Sequence, residues 1–143
     1  MRESGILMPV SSLPGPYGIG CFGAEAVKFV DFLAAAGQTI WQILPLSPTG
    51  YGDSPYQSCS AFAGNPYFLD LDLLARDGLL KRKDYAFTDW GKDPAKVDYG
   101  TLYERRFPVL RKAYQNFLKR RPVPGFETPY PDDWYRFQFL SAD

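Results

Sequence analysis

The first part of the chain alternates short apolar runs with one amphipathic segment. Residues 5–10 (GILMPV) and 39–44 (TIWQIL) are short and apolar, which is typical of buried strands. Between them, apolar residues recur at helical spacing over 24–36, with Glu25 in the first turn and Gly37 directly after the last. The pattern predicts the order strand, loop, helix, strand. Because a helical crossover joins the two strands, they are expected to be parallel neighbours.

The rest of the chain is predicted to be helical and irregular. Residues 69–77 resemble a strand end that passes into a short helix, and 82–98 are polar and predict a surface excursion. An apolar stripe with a basic end predicts a long helix over 99–121, which Pro108 is expected to kink or divide. A last helix is predicted over 132–140.

Two irregular segments follow the predicted strands. Residues 11–20 (SSLPGPYGIG) are rich in proline and glycine, and residues 45–66 form a segment too long for a simple connector. Loops that follow parallel strands lie at the same edge of a sheet, where such folds place their binding sites. The length of the second segment therefore predicts a functional insertion.

The second segment interleaves aromatic rings with short polar groups. Its glycines allow tight turns and its prolines stiffen the path, so the side chains are expected to be held in fixed positions. Rings can stack on the flat faces of a sugar while fixed polar groups bind its hydroxyls, which predicts a carbohydrate site. The rings are those of Tyr51, Tyr56 and Tyr67, and the polar groups are Asp53, Ser54, Gln57 and Asn65.

Composition narrows the classes of function. The 143 residues are 45% hydrophobic and 22% charged, which indicates a folded chain. Lys plus Arg and Asp plus Glu number 16 each, so net charge supports neither nucleic-acid binding nor a polybasic membrane anchor. The chain has no His, and Cys21 and Cys59 do not form a zinc motif. We therefore predict no metal and no cofactor.

The hydropathy of the chain indicates where in the cell the protein is expected. No apolar run reaches the roughly 18 residues that a membrane helix needs, and the run near the N-terminus is too short for a signal peptide. A cytoplasmic protein without a membrane partner is the resulting expectation. Oligomeric state is left open.

Two motifs resemble one family specifically. YGDSPYQS at 51–58 and SAFAGNPY at 60–67, within a match over 2–74, resemble the start of the 4-α-glucanotransferases, also called amylomaltases or disproportionating enzymes. From Tyr99 onward the resemblance is looser. Many members carry a His where this chain has Met8 or Pro9.

The resemblance implies a fold and an activity. It implies an α/β chain that forms the N-terminal part of a (β/α)8 TIM barrel with inserted loops and helices, incomplete within residues 1–143. Residues 5–68 would supply the first two βα units, and 69–143 a mostly helical insertion. Such enzymes transfer α-1,4-glucan segments between maltooligosaccharides with retention of configuration, using two carboxyl groups. The resemblance places both beyond Asp143, so the chain alone is expected to be inactive.

The resemblance also implies roles for substrate-binding residues. Ser54 and Tyr56 correspond to residues at the donor subsites, and Tyr51 to a ring at a secondary glucan site. Asp53 is predicted to hold the loop by bonding backbone N–H groups. The pair Tyr99 and Tyr103 either packs inward or extends the glucan surface.

Two alternatives stay open for function. One is a non-catalytic fragment that only binds glucan. The other is a related retaining α-glucan hydrolase, because hydrolysis and transfer share one intermediate and differ in whether water or a sugar accepts the glycosyl group.

Overall fold

The predicted order strand, loop, helix, strand is confirmed, and so is the long helix that begins at Tyr99. The computed structural model describes residues 3–58, 60 and 62–120. Its strands and helices are β1 (Gly5–Leu7), α1 (Ala24–Ala35), β2 (Ile40–Gln42), α2 (Leu71–Arg76) and α3 (Tyr99–Lys119). Short 3-10 turns lie at Val10–Ser12, Pro66–Phe68 and Arg82–Asp84. The helix predicted over 132–140 lies outside the described residues.

The two strands are parallel neighbours, as the crossover predicts. Ile6 of β1 lies opposite Trp41 of β2, and the backbone N–H of Met8 donates to the Gln42 carbonyl at 2.9 Å. Because both strands run the same way, the segments that follow them leave the sheet at one edge. This edge is where 11–20 and 45–66 begin.

The prediction that the strands are buried is wrong for this part of the protein. Ile6, Leu7 and Ile40 are 39%, 55% and 44% exposed, and Phe32 on α1 is 62% exposed. The described residues form a two-stranded sheet, so neither strand has a second neighbour to cover it. The apolar pattern identifies the strands correctly but requires more sheet than these residues supply.

Helix α1 ends where Gly37 was predicted to end it. Gly37 has φ 68°, a left-handed conformation that favours glycine. Its N–H donates to the Ala34 carbonyl at 3.0 Å, and the N–H of Gln38 donates to the Leu33 carbonyl at 2.9 Å. This pair of hydrogen bonds satisfies the last carbonyls of the helix and turns the chain toward β2.

Helix α3 supplies one wall of the main core. Leu102 and Leu110 are fully buried and Ala113 almost so, on the predicted apolar stripe. The helix runs continuously from Tyr99 to Lys119, so Pro108 does not divide it. Pro108 is exposed, so the carbonyl group that loses its partner at this turn can bond to water.

Asp70 caps helix α2 and gives a first testable prediction. Its Oδ1 accepts a hydrogen bond from the N–H of Leu73 at 2.7 Å. Asp70→Ala leaves that N–H without its cap, so we expect the free energy of unfolding to fall by about 1 kcal/mol. Urea denaturation followed by circular dichroism measures the loss. Asp70→Ser restores a capping oxygen, and an equal loss in that variant contradicts a capping role.

Candidate functional site

A closed loop leaves the carboxyl edge of the sheet after β2. We call residues 46–65 the tyrosine loop. Its two ends are joined by a hydrogen bond of 2.7 Å from the N–H of Asn65 to the Leu46 carbonyl. Asn65 is buried, and its Oδ1 accepts from the N–H of Tyr67 at 3.0 Å. The side chain of Asn65 thereby fixes the end of the loop and the start of the turn that follows.

Two consecutive β-turns form the tip of the tyrosine loop. In the first turn, the N–H of Asp53 donates to the Gly50 carbonyl at 3.1 Å, and Gly52 at the third position has φ 95°, as a type II turn requires. In the second, the N–H of Gln57 donates to the Ser54 carbonyl at 3.1 Å. The N–H of Gly50 also donates to the Gln57 carbonyl at 3.1 Å, which joins the two turns into one frame.

This frame holds two tyrosine rings in solvent. Tyr51 is fully exposed and Tyr56 is 73% exposed. Ser54 is partly buried, and its Oγ accepts a long hydrogen bond of 3.4 Å from the N–H of Tyr56. The backbone already holds these exposed rings in place. A ligand that stacks on their flat apolar faces therefore binds with little further loss of conformational entropy in the protein.

Asp53 shapes the loop through its backbone. It has φ 55°, the left-handed conformation that Asp tolerates better than most residues. Its carboxylate accepts no hydrogen bond from any residue that the structure describes, so the predicted bonds to backbone N–H groups are absent there. Burial raises the pKa of this carboxyl group.

A cluster of rings lies beside Asp53. The ring of Tyr67 is 5.8 Å from that of Tyr99 and 5.3 Å from that of Phe107, and the rings of Tyr103 and Phe107 are also 5.3 Å apart. Burial, and then the charge of Asp53, raise the pKa of Tyr67 to about 12, and the same two causes raise the pKa of Tyr99. The Asp53 carboxylate is thus within electrostatic range of both phenols.

Tyr99 and Tyr103, the predicted pair on helix α3, differ in exposure. Tyr99 is half-buried and packs on Tyr67, as inward packing predicts. Tyr103, one helical turn later, is 57% exposed. Tyr103 is therefore the member of the pair whose ring is open to a ligand.

The segment after β1 is held by a carboxylate that the sequence did not single out. The phenol of Tyr17 donates to both oxygens of Asp72, at 2.8 and 2.9 Å, and the phenol of Tyr85 donates to the same carboxylate at 2.7 Å. Burial, followed by this bonding, raises the pKa of both phenols, that of Tyr85 to about 12. Asp72 thus connects the segment 11–20 to helix α2.

A cleft of about 750 Å³ opens between the segment 11–20 and residues 88–97. Pro14 and Pro16 line it from one segment, and Asp89 and Lys96 line it from the other. Tyr51, Asp53, Ser54 and Tyr56 do not line it, so the cleft and the tyrosine loop are separate features of the part of the protein that the structure describes.

The described residues offer neither a metal site nor a membrane-spanning helix. They contain no group of three or more His, Cys, Asp or Glu side chains placed to hold a metal ion. Within the same ranges, none of the helices combines the length and apolar character that a membrane span requires.

The chain is similar to known proteins over most of its length. The family model described as 4-alpha-glucanotransferase matches residues 8–131. The 4-alpha-glucanotransferase of Clostridium butyricum is 57% identical over 94% of this chain and 30% of its own length. That of Streptococcus pneumoniae serotype 4 is 55% identical over 88% of this chain and 25% of its own length.

A solved structure agrees with these relatives. Amylomaltase from Streptococcus agalactiae in complex with acarbose superposes with a TM-score of 0.82 at 55% identity, over 85% of this chain and 24% of that one. The chain therefore spans about a quarter of the length of the proteins it matches. Its fold is that of the corresponding part of an amylomaltase, and the chain belongs to the 4-alpha-glucanotransferase family.

Proposed function

We propose that this chain is the N-terminal portion of a 4-alpha-glucanotransferase and supplies its donor-side substrate-binding loop. The observation that carries the proposal is the tyrosine loop, whose two turns hold exposed tyrosines beside partly buried polar groups in a chain of this family. The substrates would be α-1,4-glucans and maltooligosaccharides. Rings and fixed oxygens are the groups that bind such ligands.

The fold that we propose for the whole protein is a (β/α)8 barrel with insertions. Residues 5–68 would be its first two βα units and 69–143 a mostly helical insertion. The exposed apolar strands support this proposal, because neighbouring barrel strands would cover Ile6, Leu7 and Ile40. A cytoplasmic location also stays a prediction.

The proposed chemistry is retaining transfer in two displacements. A carboxylate nucleophile takes the glycosyl group while a carboxylic acid protonates the leaving sugar. The acid, now a carboxylate, then takes the proton of the acceptor hydroxyl as the acceptor oxygen displaces the nucleophile. We place both groups outside residues 1–143. The work of this chain would be binding: Ser54 and Tyr56 at the donor sugar, Tyr51 at a neighbouring glucan, and the carboxylate of Asp53 toward sugar hydroxyls.

Tyr103 is proposed to extend the surface that Tyr51 begins. Its ring is 57% exposed and packs on Phe107, which lies in the ring cluster beside Asp53. The position supports a glucan surface that continues from the tyrosine loop onto helix α3.

The product distribution tests the proposed activity. We use the term completed enzyme for the full-length protein, or for a chimera in which this chain replaces the matching segment of the Streptococcus pneumoniae relative. Incubated with maltotriose, the completed enzyme is expected to yield both longer and shorter maltooligosaccharides. Shorter products and free reducing sugar without chain lengthening would favour a hydrolase instead.

Tyr51→Ala in the completed enzyme should alter the handling of long glucans selectively. The ring is fully exposed at the loop tip, so its removal costs contact area without disturbing the frame. We expect binding of long amylose to weaken roughly fivefold, with the KM for maltotriose unchanged. Affinity electrophoresis in amylose gels measures the first quantity, and Tyr51→Phe is the control that retains the ring. An equal effect on maltotriose would contradict a secondary site.

A further inference from the structure

Arg106 on helix α3 is a buried cation among the described residues. It has no exposed surface, and it forms no salt bridge within that part of the chain. Burial of a charge without an ion-pair partner is costly, and an apolar side chain would fill the same space at lower cost. Burial also lowers the pKa of the guanidinium group. An arrangement of this kind calls for an explanation beyond packing.

The guanidinium group bonds to two separate segments of backbone. Nη1 donates to the Tyr17 carbonyl at 3.2 Å, and Nη2 donates to the Leu69 carbonyl at 2.6 Å. Its Cζ lies 5.9 Å from the ring centroid of Trp90, within the range of a cation–π contact. The planar fork of arginine can bond to both carbonyls at once, which a single ammonium nitrogen does less well.

The two carbonyls belong to the segments that flank the proposed site. Tyr17 lies in the segment after β1, and Leu69 follows the turn Pro66–Phe68, which Asn65 fixes at the end of the tyrosine loop. Arg106 therefore connects the segment 11–20 to Leu69, which lies four residues beyond the end of the tyrosine loop. Its two hydrogen bonds link these backbone segments through one side chain.

We propose that Arg106 is a positioning residue that fixes the segment 11–20 relative to residues 66–69, and through that turn the base of the tyrosine loop, whose placement glucan binding would require. The inference rests on the proposed function for its consequence in catalysis. The structural part of the inference is independent of the proposed function, because loop positions can be measured without turnover.

The test compares Arg106→Met with Val109→Ala in the completed enzyme. Val109 is buried on the same helix, so its truncation weakens the core without touching either carbonyl. At a temperature below both melting points, we expect Arg106→Met to speed amide hydrogen exchange in 11–20 and 66–69, and Val109→Ala to leave it near wild type. The KM for maltotriose should rise roughly tenfold in Arg106→Met, with kcat less affected, because misplaced binding groups lose productive geometry.

Arg106→Lys distinguishes positioning from mere support of the fold. Lysine keeps the charge and donors but not the fork, so we expect partial rescue, with a KM about threefold above wild type. Exchange and KM in Arg106→Met equal to those of Val109→Ala would overturn the inference. If Arg106→Met does not fold, wild-type exchange and KM in Arg106→Lys would overturn it as well.

The proposed function fails separately. Absence of transfer in the wild-type completed enzyme would remove the catalytic role assigned to the tyrosine loop. Hydrogen exchange at 11–20 and 66–69 would still decide whether Arg106 sets the loop positions.

Discussion

Tyr56→Ala in the completed enzyme is expected to lower kcat/KM for maltotriose roughly a hundredfold, equivalent to about 2.7 kcal/mol of transition-state stabilisation. The ring is 73% exposed and is carried by the second turn of the tyrosine loop, between Ser54 and Gln57. Its removal takes away the apolar face on which the donor sugar would rest. The backbone frame is held by main-chain hydrogen bonds, so the loop should keep its shape.

Tyr56→Phe is the matched control for that prediction. It keeps the ring and removes only the hydroxyl group, so a loss much smaller than that of Tyr56→Ala would assign the effect to stacking. Steady-state kinetics with maltotriose measure both variants. Wild-type turnover of maltotriose by Tyr56→Ala would contradict the assignment of Tyr56 to the donor sugar.

Gly20→Ala is expected to have the largest effect on stability. Gly20 is buried at the end of the segment 11–20, where its N–H donates to the Ser11 carbonyl at 3.1 Å. A Cβ atom there would lie 2.1 Å from the Val10 carbonyl oxygen and 2.7 Å from both the nitrogen and the oxygen of Leu13. All of these are backbone atoms that cannot rotate away, so the segment must move. We expect the free energy of unfolding to fall by about 3 kcal/mol.

Gly100→Ala controls for the general effect of adding a methyl group. Its Cβ would meet only Asp98 Oδ1, at an ordinary 3.5 Å, and the residue lies within helix α3. Alanine is the better helix former, so this variant should be neutral or slightly more stable. Thermal unfolding of both variants measures the difference. Equal stability of the two would contradict the close approach at Gly20.

Much of the local structure follows from the sequence because its causes are local. Helical spacing and the glycine after the last turn predicted α1, and the crossover predicted the parallel pairing of β1 with β2. The proline- and glycine-rich tip of the tyrosine loop predicted tight turns, and two are present, at residues 50–53 and 54–57. Such features depend on backbone sterics and on bonds between near neighbours.

Other features depend on contacts between distant segments, and sequence patterns do not encode them directly. The carboxylate of Asp53 was expected to bond to backbone N–H groups, whereas Asp53 shapes the turn through its positive φ. Arg106 gave one usable signal: it lies four residues after Leu102 and four before Leu110, on the buried stripe of α3. A charged residue at such a position predicts a buried polar contact, but not the Tyr17 and Leu69 carbonyls that it meets.

The most direct test of the central claim compares the isolated chain with the completed enzyme on maltotriose. Chromatography of the products over time gives the maltooligosaccharide distribution for each. We predict longer and shorter maltooligosaccharides from the completed enzyme and no change from residues 1–143 alone, because the role proposed for this part of the protein is donor binding and the reacting carboxyl groups are proposed to lie elsewhere. Chain lengthening by the isolated chain, or none by the completed enzyme, would contradict the account.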